Sequence, residues 1–121
     1  TLDTGHMLFA KGDSKKIIEN YSSRLSHVHC KDIRKNVLEK SLKEDLSFRE
    51  AFLEGAFTVP GDGCIDYMPL FEILKKNNYS GWLVVEAEQD PKKANPLEYA
   101  IKGYKYLTET LNKSDINIDI K

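Results

Sequence analysis

Aspartate, histidine, lysine and glutamate recur in this chain where short apolar runs end. Asp3 and His6 fall in Leu2-Asp3-Thr4-Gly5-His6, His29 and Lys31 close the run from Leu25, and Glu86 and Glu88 close the run from Trp82. On an extended backbone alternate side chains share a face. His27, His29 and Lys31 therefore oppose Val28 and Cys30, and Trp82, Val84, Glu86 and Glu88 oppose Leu83, Val85 and Ala87. An Asp, a His and a Glu converging from three strand ends make a mixed N/O ligand set. Such a set suits Mn²⁺, Co²⁺, Fe²⁺ or Zn²⁺ better than Ca²⁺. Taken singly, Asp3 is a helix cap, His29 a hydrogen-bonded interior imidazole and Glu86 half of an ion pair. Taken together at equivalent strand positions, they read as a metal site. Glu86 stands in a run that is otherwise core, and a buried carboxylate needs a partner.

Those positions require strands and helices in alternation. Asp13 can cap a helix to about Ser22, with Ile17, Ile18 and Tyr21 on one face. Leu25 to Cys30 reads as a strand, and Asp32 to Gly55 as charged helix. Phe57 to Asp66 reads as a loop punctuated by Pro60, Gly61 and Gly63. Asp66 reads as the cap of a helix with Pro69 in its first turn and Leu70, Phe71 and Leu74 buried. Trp82 to Glu88 is a near-continuous apolar strand of the kind buried on both faces, with Trp82 and Val84 inside. Asn95, Pro96 and Glu98 open a last helix whose Leu97, Ile101, Tyr104, Leu107 and Leu111 form the buried side. The tail from Lys113 alternates weakly through Ile116, Ile118 and Ile120. This is an α/β pattern, implying a parallel sheet with right-handed crossovers.

Composition narrows the classes. Hydrophobic residues at 40% and charged residues at 31% describe an ordinary globular chain. A formal net charge of −1 supplies no general attraction to nucleic acid or an anionic membrane. No apolar run is long enough to span a bilayer, so a cytoplasmic protein is the default expectation. Cys30 and Cys64 form neither a CxxC pair nor a disulfide framework, and Cys30 should face helices and be inert. Leu2 to His6 reads as the end of a strand whose beginning is absent. A (β/α)8 barrel takes about 250 residues, so a barrel fragment over residues 1–112 with a tail over 113–121 is expected. Its open face should be covered by the missing barrel portion or by another copy of the chain.

The segments LDTGHMLFAKGD, HVHCKD, FTVPGDGCID and GWLVVEAEQDP resemble the xylose-isomerase-like barrel superfamily. The last three together resemble its inosose dehydratase family. The first two motifs specify only the superfamily, whereas VPGDGCID followed by WLVVEAEQDP is more specific. The resemblance implies the C-terminal part of the barrel, strands six to eight with their helices. It implies that Asp3, His29 and Glu86 are metal ligands, and that a fourth, a glutamate, would lie upstream of Thr1. His6 matches a substrate-facing or second-metal histidine. Lys31 and Glu88 become candidates, with His6, for acid–base chemistry, and Lys31 and Asp62 for substrate contact. The plainer alternative for Lys31 and Glu88 is a rim salt bridge, and for Asp62 a turn. The implied cofactor is divalent, Mn or Co before Zn, Fe or Mg, and the implied partner is a small keto-inositol. The implied reaction dehydrates scyllo-inosose (2-keto-myo-inositol) to a cyclohexane-dione, by removal of an α-proton and loss of a β-hydroxyl. A sugar isomerase or epimerase of the superfamily is the alternative, disfavoured by VVEAEQD. An endonuclease IV type is rejected for want of its further metal motif and of a basic footprint. A fragment inactive by itself is the non-enzymatic alternative.

Overall fold

A computed structural model of the chain describes residues 1–114 and 116; Ile118 and Ile120, in a tail whose weak alternation fits an edge strand or a disordered segment, lie outside them. In chain order the elements are β1 (Leu2–Asp3), α1 (Thr4–Phe9), α2 (Ser14–Tyr21), a 3-10 turn (Ser22–Arg24), β2 (His27–Cys30), β3 (Asp32–Ile33), α3 (Lys35–Lys43), α4 (Phe48–Leu53), β4 (Phe57–Thr58), α5 (Met68–Lys76), β5 (Trp82–Val85) and α6 (Pro96–Lys113). Strands β1, β2 and β5 form a parallel sheet in that order. Asp3 is in register with His29, and His29 with Val84. Parallel alignment brings the C-terminal ends of all three strands to one edge, which is where their polar residues were expected to meet.

The expected alternation of faces holds in β2, where Val28 and Cys30 are buried and His27 and His29 are half-buried. Val28 and Cys30 join Leu2, Ile18, Leu70, Phe71 and Leu74 in the main core, against which Leu83 and Val85 also pack. Asp13 caps α2 by accepting from the Lys15 and Lys16 N–H groups, as predicted. Pro69 lies in the first turn of α5, and Leu70, Phe71 and Leu74 are its buried residues, but the capping position is Tyr67 rather than Asp66, whose Oδ1 accepts from the Met68 N–H at 3.1 Å. Among the described residues no helix is long and apolar enough to cross a membrane.

Four expectations are corrected. His6 does not end a strand: β1 stops at Asp3, which caps α1, and His6 rides on that helix. Phe57–Thr58 is not loop but pairs antiparallel with Asp32–Ile33, outside the main sheet. Trp82 is not buried: it is 50% exposed at the start of β5. The buried side of α6 is Gly103, Leu107, Thr110 and Leu111, whereas Leu97, Ile101 and Tyr104 are exposed. Gly103 sets that rotation. A Cβ there would stand 2.7 Å from Val85 Cγ1 and 2.9 Å from Val59 Cβ, so only glycine lets the helix backbone sit this close. Docking through Gly103 turns the helix by roughly a quarter turn from the face that its apolar spacing suggests.

Candidate metal centre

Asp3 serves two elements at once. Its Oδ1 accepts from the His6 N–H at 2.8 Å, capping α1, while Oδ2 faces the neighbouring strand ends. That oxygen lies 4.0 Å from His29 Nδ1 and 2.9 Å from Lys31 Nζ. His29 Nδ1 is 2.5 Å from Glu86 Oε2. Asp3, His29 and Glu86 each offer one ligand atom, and these lie within 4.8 Å of one another. Glu86 Oε2 is buried and, despite its closeness to the imidazole, makes no hydrogen bond. A buried anionic oxygen without a donor is costly, and a cation between it, the imidazole and Asp3 would satisfy it. The residues thus fit a divalent ion of the borderline class that takes N and O ligands together.

Lys31, Glu88 and His6 gather beside the triad. The Lys31 side chain is fully buried, with Nζ 3.2 Å from Glu88 Oε2 and 3.4 Å from Glu86 Oε1. It reaches the site by passing over Gly5, where a Cβ would stand 2.8 Å from Lys31 Cγ. Its backbone is held as well. The Thr4 hydroxyl donates to the Lys31 carbonyl at 2.7 Å and accepts from the Lys31 N–H at 3.2 Å, and the Tyr67 hydroxyl donates to the same carbonyl at 2.9 Å. Burial works against the Lys31 charge, but the hydrogen bond to Asp3 and the surrounding carboxylates hold its pKa above the usual lysine value. Glu88 shows the converse: desolvation pushes it up, yet the bonds to His6 and Lys31 keep it below the usual glutamate value.

His6 Nε2 is 2.8 Å from Glu88 Oε2 and 3.1 Å from Lys31 Nζ, and Nδ1 is 3.3 Å from Asp3 Oδ2. Nε2 donates to Glu88 when it carries a hydrogen and accepts from Lys31 when it does not. That nitrogen therefore has a partner in either tautomer of the ring. Phe48 and Phe57 stand edge-on to the ring at 5.4 and 5.1 Å, walling one side of it.

Asp62 stands apart from this group. Its Oδ2 accepts from Arg34 at 2.8 Å and from the Thr58 hydroxyl at 2.6 Å, and Oδ1 pairs with Lys102. The sequence reading missed Asp32, which is fully buried. Its carboxylate accepts from the N–H groups of Ile33 (2.8 Å), Ile65 (2.9 Å), Gly61 (3.2 Å) and Gly63 (3.2 Å). The signal was present, since a Gly-Asp-Gly turn exposes amides that need an acceptor. Cys30 is buried among the helices, and burial pushes its thiol up, out of the reactive range. His27 is occupied by Ser26 Oγ at 2.9 Å. A cleft of about 540 Å³ lined by Arg34, Lys35, Asn36, Glu39, Asp62 and Gly63 shares no residue with the triad.

A family profile described as "Xylose isomerase-like TIM barrel" matches residues 1–110. The inosose dehydratase of Clostridium beijerinckii is 56% identical over 88% of this chain, which covers 36% of that protein. The inosose dehydratase of Clostridium perfringens is 52% identical over 91% of the chain and 37% of its own length. That of Bacillus licheniformis is 52% identical over 90% and 36% respectively. The chain therefore spans little more than a third of the curated relatives it matches.

Proposed function

This chain belongs to the xylose isomerase-like TIM barrel family, and we propose that it is the C-terminal portion of an inosose dehydratase, a metal-dependent carbon–oxygen lyase. The observation that carries the proposal is the meeting of Asp3, His29 and Glu86 from three parallel strand ends, with ligand atoms within 4.8 Å. The identities of 52–56% to proteins of that name support it.

Asp3, His29 and Glu86 would hold the ion, Mn²⁺ or Co²⁺ by preference. When bound, it would polarise the ketone of scyllo-inosose and offset the negative charge that develops as the α-proton leaves. His6 would take that proton, a reading supported by the contacts of its Nε2 with Glu88 at 2.8 Å and Lys31 at 3.1 Å. Glu88, kept anionic, stabilises the imidazolium so formed. Lys31, kept protonated, donates to the β-hydroxyl as it departs or holds a substrate oxygen. Phe57 and Phe48 exclude water from one flank of His6.

Glu86→Gln in the full-length protein tests the reading, because the amide keeps the shape and removes the ligand charge. Dione formation from scyllo-inosose should fall about a hundredfold or more, with bound Mn²⁺ falling in parallel and the unfolding midpoint little changed. Wild-type dehydration by that variant would refute the assignment. Epimer formation from a keto-hexose, with no dione from the inosose, would transfer the site to the isomerase branch.

A further inference from the structure

The place of Lys31 among the acidic groups has a consequence beyond proton transfer. Three carboxylates, Asp3, Glu86 and Glu88, lie within 3.4 Å of its Nζ, and His6 Nε2 lies at 3.1 Å. The side chain is fully buried and threaded over Gly5, and its backbone is anchored to Thr4 and Tyr67. The three carboxylates sum to −3, and one ammonium plus one divalent ion sum to +3. The centre is then neutral. A second divalent ion would leave an excess of two positive charges in a partly desolvated place, which is unfavourable.

Without the lysine the balance reverses. Asp3 Oδ2, Glu88 Oε2 and His6 Nε2 would then surround the volume that Nζ occupies, a second set of N and O donors carrying uncompensated charge. We infer that Lys31 is a built-in monovalent cation that limits the centre to one divalent ion, its ammonium filling the place between Asp3, Glu88 and His6 where a second would bind. The inference rests on the metal-site reading above, and its readout is stoichiometry rather than activity.

The test titrates the full-length protein with Mn²⁺ alone, counts metal per chain after removal of free ion, and records the electron paramagnetic resonance spectrum. Wild type should bind one Mn²⁺, with no spin coupling even at high Mn²⁺. Lys31→Ala should bind two and show the exchange-coupled signal of neighbouring ions, while Lys31→Arg, which keeps the charge, should return to one. Lys31→Met, which keeps the bulk of the stem, replaces Lys31→Ala if the latter loses its fold, and should also bind two. Two ions in wild type would overturn the inference. So would one ion in folded Lys31→Ala or Lys31→Met. Wild type that binds no Mn²⁺ would overturn the metal reading itself and this inference with it.

Discussion

Asp32 does no chemistry in the proposed reaction, yet four backbone amides converge on it, two per oxygen. Burial pushes its carboxyl above the usual aspartate value, and those amides pull it back only in part. Asp32→Asn would turn one oxygen into an NH₂ group facing two donors. Two hydrogen bonds are lost and two N–H groups are left buried without acceptors, a cost of about 3 kcal/mol. Urea unfolding should show a lower midpoint at unchanged slope. A loss below about 0.5 kcal/mol, the range of ordinary surface substitutions, would mean that the loop holds itself. The contrast with Asp3 is instructive. Both are aspartates that accept from backbone N–H groups, but Asp3 spends one oxygen on the helix cap and turns the other towards His29 and Lys31.

At the scale of elements, the loop over residues 59–65 is fixed from both sides, by Asp32 from within and through Asp62 from outside. Burial opposes the Asp62 charge, but hydrogen bonds from Lys102 and Thr58 and the charge of Arg34 outweigh it and hold the carboxyl below the usual aspartate value. A depressed folded pKa contributes stability that is fully present above the unfolded value, about 3.9, and is lost as pH falls through the folded one. Asp62→Asn should therefore be less stable than wild type at neutral pH, with the gap closing as both are acidified below about pH 4. Lys102 is half exposed, so its share is screened and the gap should shrink with salt. A gap that stays constant down to pH 2 would assign the effect to packing. What was legible beforehand follows the same scale. The alternation in β2 and the cap at Asp13 are local patterns several residues long, and both were readable. So were the polar strand ends, because side-chain parity carries past Val85 to Glu86 and Glu88. The two-residue strands β3 and β4 are too short for any period to show. Thr4 and Gly5 are weak helix formers, so α1 announced itself only through its cap at Asp3. The buried face of α6 was misread because Gly103 decides it through a close approach that amphipathic spacing does not register.

For the whole molecule, the surface left apolar sets the last expectation. Leu97 is 68% exposed, Ile101 and Tyr104 are each 45%, and Trp82 is 50%. The first three form one stripe along α6, at spacings of four and three residues. Covering a half-exposed apolar side chain of this size contributes roughly 1 kcal/mol, so the four together contribute about 4 kcal/mol. That corresponds to a dissociation constant of about 1 mM before orientational costs, too weak for a stable dimer at ordinary concentration. The 121-residue chain should therefore sediment near 13.8 kDa when dilute and grow heavier towards millimolar concentration. A mass independent of concentration over that range would show that this face is not adhesive. Ile101→Glu separates two possible covers. In the isolated chain the position is exposed, so the change should move stability by less than about 0.5 kcal/mol and abolish self-association. In a protein of the relatives' full length, further barrel elements are expected to pack on the stripe, where a buried unpaired carboxylate should cost about 2 kcal/mol or more. Equal, negligible effects in both proteins would leave α6 facing solvent in the complete barrel and refute its place as a packed helix there.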